Sequence, residues 1–275
     1  MFATRFAPSP TGYLHRGHAY SALTAFEAAR AAGGRFVLRI EDIDATRCRP
    51  EFEAAIHEDL AWLGLDWETP VRRQSEHTDD YLAALARLEA DGLLYRCFRT
   101  RREMAEAMAS APHGPMEVFR GGPLAPDEEA RRLAAGEAFA WRLSLDAASR
   151  RLGGFAGLDF LDEGEGRVAA QPELGGDVVL ARKDVGVAYH LAVTVDDALQ
   201  GITHVIRGRD LFEATHVQRL LQALLGLPTP AYRHHPLLVG PDGRRFAKRD
   251  KAETLRSLRE QGMTAADLRK ELGFG

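Results

Sequence analysis

The chain has 275 residues, 45% hydrophobic and 28% charged, with two cysteines and a formal net charge of −4. That size and balance suit one large α/β domain with a small insertion; they leave no disulfide framework, no apolar run of bilayer length and no secretory pattern at residues 1–6, so a cytoplasmic location and no membrane are expected. The acidic balance argues against a broad nucleic-acid surface, yet nearly all positive charge is arginine beside four lysines (Lys183, Lys248, Lys251, Lys270), so any RNA contact is expected on a local basic face.

Residues 2–7 read as a buried strand running into a loop broken by Pro8, Pro10 and Gly12, after which His15 and His18 flank Gly17 at the start of a helix over 16–32. Gly33-Gly34 stops that helix, and the apolar run 36–40 is a second strand. Pro50 opens a helix to about 63, and another covers 78–90. Alternating strands and helices predict a parallel sheet with crossover helices, a Rossmann-like layer. From 97 to 175, Gly and Pro punctuate often, predicting an inserted α+β piece with a helix near 127–136 and strands near 138–145 and 167–171. Alternation then returns: strand 177–183, helix 190–199, strand 202–207, helix 210–225 and strand 234–239. The expected divisions are 1–96 and 176–240 for two catalytic halves, 97–175 for the insertion, and 241–275 for a basic loop and a short helical end.

Two histidines three apart at a helix start can face one ligand, and free backbone N–H groups there favour phosphate. Gly17 between them would let a nucleotide approach the backbone. Capping or core histidines are the plainer alternative; zinc lacks the i,i+4 partner and the acidic third ligand. Arg39-Ile40-Glu41-Asp42-Ile43-Asp44 ends the second strand, where ligands of open α/β sheets bind. Glu41 is set to meet an ammonium group, while Asp42 and Asp44 suit local turn or conformational roles. Arg5 and Arg207, both at strand ends, are able to converge on a carboxylate with the Tyr189 hydroxyl. Arg245-Phe246-Ala247-Lys248-Arg249 alone reads as an exposed basic turn.

The segment from Arg5 to His18 resembles the HIGH signature of class I aminoacyl-tRNA synthetases in its glutamate-specific form. With residues 12–23, 39–44 and the Tyr189 and Arg207 segments, nearly the whole chain is similar to the glutamyl-queuosine tRNA(Asp) synthetase family, and Arg245–Arg249 resembles the KMSKS loop with Lys248 at its second lysine. Arg245, Phe246 and Ala247 depart from that pattern.

The resemblance implies a class I catalytic domain whose glutamate site comprises Arg5, Phe6, Ala7, Pro8, Ser9, Glu41, Tyr189 and Arg207. The arginines are assigned chiefly to the side-chain carboxylate, because the α-carboxylate must stay nucleophilic. His15, Gly17, His18 and Lys248 would contact ATP, with His15, His18 and Lys248 catalytic and Mg²⁺ escorting the nucleotide. It also implies activation of L-glutamate without tRNA, transfer to queuosine in the anticodon of tRNA(Asp), and action as a monomer. Relatives often carry zinc in the insertion; here Cys97 has Phe119 where a later cysteine is expected, and His113 adds at most a second ligand, so no structural zinc is expected. Residues 250–275 leave little room for the anticodon-binding domain of general glutamyl-tRNA synthetases, which favours the paralogue. The alternatives are a truncated general glutamyl-tRNA synthetase-like enzyme, a HIGH-type nucleotidyltransferase and a non-catalytic binding relative.

Overall fold

The computed structural model describes residues 1–99, 103, 118–182, 186–238 and 253–275. Strand β1 (Ala3–Phe6) is buried at every position and pairs in parallel with β2 (Arg35–Ile40), from Ala3 opposite Arg35 to Phe6 opposite Leu38. Helix α1 (Arg16–Ala31) makes the crossover and buries its alanine-rich side with Leu23. Its small side chains let helix and sheet approach closely. The chain then tucks under β1: a Cβ on Gly34 would lie 2.5 Å from the Phe2 carbonyl oxygen.

Helix α2 (Pro50–Trp62) begins at a proline whose missing N–H costs nothing at a first helical position, and the short β3 (Arg72–Arg73) pairs in parallel with the end of β2. Helix α3 (Thr78–Ala90) follows. In the second half, α6 (Tyr189–Leu199), β10 (His204–Gly208), α7 (Phe212–Leu225) and β11 (Ala231–His235) repeat the alternation, with β10 and β11 parallel. Thr203 joins the halves: its N–H donates to the Ala3 carbonyl at 2.9 Å and its Oγ1 accepts the Ala3 N–H at 2.9 Å.

The last strand lies earlier than the apolar run 234–239 predicts, at Ala231–His235. Pro236 has no N–H for the ladder, so pairing ends at Gly208 opposite His235. Val239 lies outside the described residues.

Between the halves, β4 (Leu94–Cys97), β5 (Ala140–Leu143), β8 (Val179–Arg182) and β9 (Gly186–Val187) form an antiparallel sheet. Helix α4 (Pro126–Ala134) meets the predicted position near 127–136. Helix α5 (Leu145–Leu152), which the sequence reading passed over, is capped by Ser144 accepting from the Ala147 N–H and ends at Gly153 with φ 71°. The hairpin β6 (Asp159–Asp162) and β7 (Gly166–Ala169) sets Asp162 beside Tyr232 of β11.

Among the described residues, two hydrophobic clusters form the core. One packs α3, α6 and α7 against the sheets; the other packs α1 and α2 against β1 and β2 and takes in the C-terminal helices α8 (Leu255–Glu260) and α9 (Ala265–Glu271) through Leu255, Leu258 and Leu268. Each such buried leucine contributes about 1.5–3 kcal/mol. Arg16 reaches Glu253 and Glu271 at 2.8 Å each, and Arg269 pairs with Glu27. The C-terminal segment is thereby fastened beside the start of α1, where Thr254 bridges His15 and the Leu255 N–H donates to the Leu14 carbonyl. Among the described residues no helix is long and apolar enough to cross a membrane.

Candidate active site

The loops after β1 and β2 are fastened to each other by backbone bonds. The Glu41 N–H donates to the Pro8 carbonyl at 3.1 Å and the Arg49 N–H to the Pro10 carbonyl at 3.0 Å, so both strand ends open onto one cleft. At the start of α1 the two histidines cap the helix reciprocally: His15 Nδ1 accepts from the Gly17 N–H at 3.1 Å and His18 Nδ1 accepts from the His15 N–H at 3.2 Å. Their rings lie 3.9 Å apart. A Cβ on Gly17 would sit 3.0 Å from His15 Cε1, so the space the glycine leaves is taken by the capping ring rather than left open. An Nδ1 that accepts a backbone N–H puts the ring proton on Nε2, which then presents a donor.

Beneath the cleft lies an ionic cluster that the sequence reading missed. Arg39, fully buried on β2, donates to Asp197 Oδ1 at 2.8 Å, Gln200 Oε1 at 2.9 Å and Glu41 Oε1 at 3.2 Å. Arg5 donates to the same Asp197 from Nε at 3.0 Å and Nη2 at 3.5 Å. The neighbouring Asp196 accepts from Arg72 at 2.7 Å, Gln74 at 2.8 Å and the Tyr81 hydroxyl at 2.9 Å. Burial works against charge on Arg39, but the carboxylates of Asp197, Glu41 and Asp196 more than offset it and keep the guanidinium charged. Burial likewise opposes ionisation of Asp197, and Arg5 and Arg39 together hold it below the usual carboxylate range. Glu41 goes the other way: burial outweighs the pull of Arg39 and Arg5 and leaves its pKa raised. A cation arriving at Glu41 would supply the charge it lacks.

Arg207 is the penultimate residue of β10 and is 4% exposed. Its Nη2 donates to Thr215 Oγ1 at 2.7 Å and Gln218 Oε1 at 2.9 Å, and its Nε to His234 Nε2 at 3.2 Å. Nη1 is buried with no hydrogen-bond acceptor among the described residues. Tyr189, at the start of α6, is 36% exposed; its phenol pKa is raised by desolvation beside the protein, with Arg207 pulling it back down.

These groups meet at one cavity of about 410 Å³, a size within the range of small-ligand sites. Of the residues singled out by sequence, Arg5, Phe6, Ala7, Pro8, Ser9, His18, Glu41, Tyr189 and Arg207 line it. His15 and Gly17 stand beside His18 in the cap rather than on the wall, and Arg245, Phe246, Ala247, Lys248 and Arg249 lie outside the described residues. Arg47 lines the cavity too, held at 2.6 Å by Asp44, whose pKa Thr46 and Arg47 bring down to about 2. Asp42 serves the fold locally, accepting from the Ser75 N–H at 2.9 Å and hydroxyl at 2.6 Å. Among the described residues no three acids, histidines or cysteines gather to hold a metal; Cys97 is buried on β4, and His113 lies outside the described residues.

Residues 1–272 match the family model described as tRNA synthetases class I (E and Q), catalytic domain. The chain is 47% identical to the glutamyl-Q tRNA(Asp) synthetase of Rhodobacter capsulatus, covering 98% of this chain and 99% of that protein. It is 45% identical to the protein of the same name from Symbiobacterium thermophilum, covering 95% of this chain and 82% of the relative. Among solved structures, the glutamate-tRNA synthetase from Elizabethkingia anophelis superposes with a TM-score of 0.77 at 28% identity, over 90% of this chain and 53% of that one.

Proposed function

The chain belongs to the glutamyl-Q tRNA(Asp) synthetase branch of the class I (E and Q) tRNA synthetase family, and from that premise we propose that it activates L-glutamate with ATP in the absence of tRNA and then ligates it to queuosine in the anticodon of tRNA(Asp). The observation that carries the substrate reading is the pairing inside one cavity of an under-compensated Glu41 with an Arg207 whose hydrogen-bond partners among the described residues include no carboxylate. An amino acid with a carboxylate side chain satisfies both: its ammonium meets Glu41, and its side-chain carboxylate meets Arg207 and the Tyr189 hydroxyl. Arg5 serves this site through Asp197 as much as directly, since its guanidinium is already engaged there.

In this reading the α-carboxylate attacks the α-phosphorus of ATP. The new carboxyl O–P bond forms, the bond to the β-phosphate's bridging oxygen breaks, and pyrophosphate leaves. No protein nucleophile is required, so the work is positioning and charge stabilisation. The N-terminus of α1 and the Nε2–H donors of His15 and His18 face the phosphates. Lys248 is assigned to the same phosphates by its match to the KMSKS pattern; it precedes by six residues Thr254, which bridges His15. The described residues offer no protein cage for Mg²⁺, so the ion is taken to arrive on the triphosphate and no step is assigned to it. In the second half-reaction a hydroxyl of queuosine attacks the adenylate's carbonyl carbon and AMP departs. The chain is taken to act as a cytoplasmic monomer, with 1–96 and 176–240 as catalytic halves, 97–175 as the insertion and 241–275 as the phosphate-facing loop and helical end.

The test is transfer of labelled glutamate to tRNA(Asp) with and without queuosine. Label that depends on queuosine and remains on the anticodon fragment is the expected result. Label on the 3′ end would instead support a general glutamyl-tRNA synthetase-like enzyme, the reading favoured by the likeness to the Elizabethkingia structure.

A further inference from the structure

Arg207 differs from the other arginines on the cavity wall in what holds it. Arg5 is engaged by Asp197 and Arg47 by Asp44, both carboxylates, whereas the hydrogen-bond partners of Arg207 are a hydroxyl, an amide oxygen and an imidazole. Behind that imidazole stands a second contact. His234 Nδ1 lies 2.6 Å from Asp162 Oδ2, and both side chains are almost wholly buried, at 0% and 1% exposure. Asp162 is itself fixed, its Oδ1 accepting the N–H groups of Gly164 at 2.9 Å and Glu165 at 3.1 Å. A carboxylate at Nδ1 keeps the imidazole proton there, so Nε2 turns a lone pair toward the Arg207 Nε–H and the Thr215 hydroxyl.

We propose that His234, locked in its Nδ1–H tautomer by Asp162, is a positioning residue for Arg207: a neutral acceptor that holds the guanidinium in place at the cavity while leaving its charge whole for the substrate's carboxylate. The proposal rests on the reading of this cavity as the amino-acid site. Burial and the nearby Arg207 charge bring the His234 pKa down to about 4, which keeps the ring uncharged at neutral pH. A carboxylate in its place would hold Arg207 as firmly but neutralise it. A protonated imidazole would repel it.

The test is ATP–pyrophosphate exchange measured against glutamate and against ATP for the full chain and three variants, each first checked by thermal melting. His234→Leu removes the acceptor. Asp162→Asn lets an amide N–H meet Nδ1, moving the ring proton to Nε2 and setting donor against donor at Arg207. His234→Gln returns a carbonyl oxygen near the Nε2 position. The KM for glutamate should rise about ten- to a hundredfold in His234→Leu and Asp162→Asn, the cost of orphaning a buried donor. It should stay within a few fold in His234→Gln, with the KM for ATP unchanged throughout. A folded His234→Leu or Asp162→Asn with an unaltered KM for glutamate would overturn the inference alone. Equal damage in His234→Gln, or a parallel rise in the KM for ATP, would make His234 a packing residue and overturn it too. Should His234→Leu fail to fold, the other two variants decide. A wild-type chain without glutamate-dependent exchange would overturn the site reading and this inference together.

Discussion

Asp197→Asn takes one negative charge out of a buried cluster in which Arg5 and Arg39 face Asp197, Glu41 and Asp196, leaving two guanidinium groups against two carboxylates, of which Asp196 is shared with Arg72. The substituted amide can still accept from Arg39 on one side. The same oxygen still accepts from Arg5 Nε, while the new N–H turns toward Arg5 Nη2, which sits 3.5 Å from the native Oδ2. Removing one partner of a buried ion pair costs about 3–5 kcal/mol, and an isosteric amide belongs at the lower end of that range, about 3 kcal/mol. At about 2–4 °C per kcal/mol for a chain of this size, the melting temperature should fall by about 6–12 °C. The loss depends on pH with a definite sign. Asp197 is held below the usual carboxylate range, so its contribution is present in full above the ordinary value near 3.8 and fades as pH falls through the lowered one. Wild type and variant should therefore differ most at neutral pH and converge in acid. Urea and thermal melts of both proteins from neutral to acidic pH measure this directly. A loss below about 1 kcal/mol at pH 7, or a gap that widens on acidification, would refute the reasoning.

Two further outcomes follow from the same site. Because the Glu41 pKa is raised by burial, its readiness to hold an ammonium group should fail earlier on acidification than that of an ordinary glutamate: the KM for glutamate should climb while the KM for ATP stays level, and a flat profile in wild type would count against Glu41. Lys248→Ala should greatly depress ATP–pyrophosphate exchange while glutamate binding, followed by calorimetry, survives; unchanged exchange would remove the basic loop from the reaction.

The strand, loop and helix from Ala3 to Ala31 were legible because proline, glycine and an alanine-rich period mark their boundaries unambiguously. The meeting of Glu41, Tyr189 and Arg207 was expected from the family resemblance, and topology accounts for it: all lie at ends of elements that open on one cavity. The ionic cluster below them was not. Arg39 sits between apolar neighbours, after Phe36-Val37-Leu38 and before Ile40, and Asp196-Asp197 interrupts the largely apolar helix Tyr189–Leu199. Buried charges of that kind require partners, so the acid pair was the signal available, but sequence does not say which arginines supply them. The strands Leu94–Cys97, Ala140–Leu143 and Val179–Arg182 escaped notice or lost their bounds because each carries an arginine in four residues. Their cost is met by tertiary contacts: Arg96 stacks 4.3 Å from the Trp141 ring, and Arg142 lies 4.2 Å from that of Phe119. In sequence His234 reads only as the first residue of an apolar run, whereas the strand ends at His235 and the His234 ring packs against Asp162.

The most direct measurement is exchange of labelled pyrophosphate into ATP by the purified chain without tRNA, run with each of the twenty amino acids in turn. Exchange with glutamate alone is the outcome that a cavity built from Glu41, Tyr189 and Arg207 requires. Exchange supported by a different amino acid, or none with glutamate at saturating ATP, would contradict it.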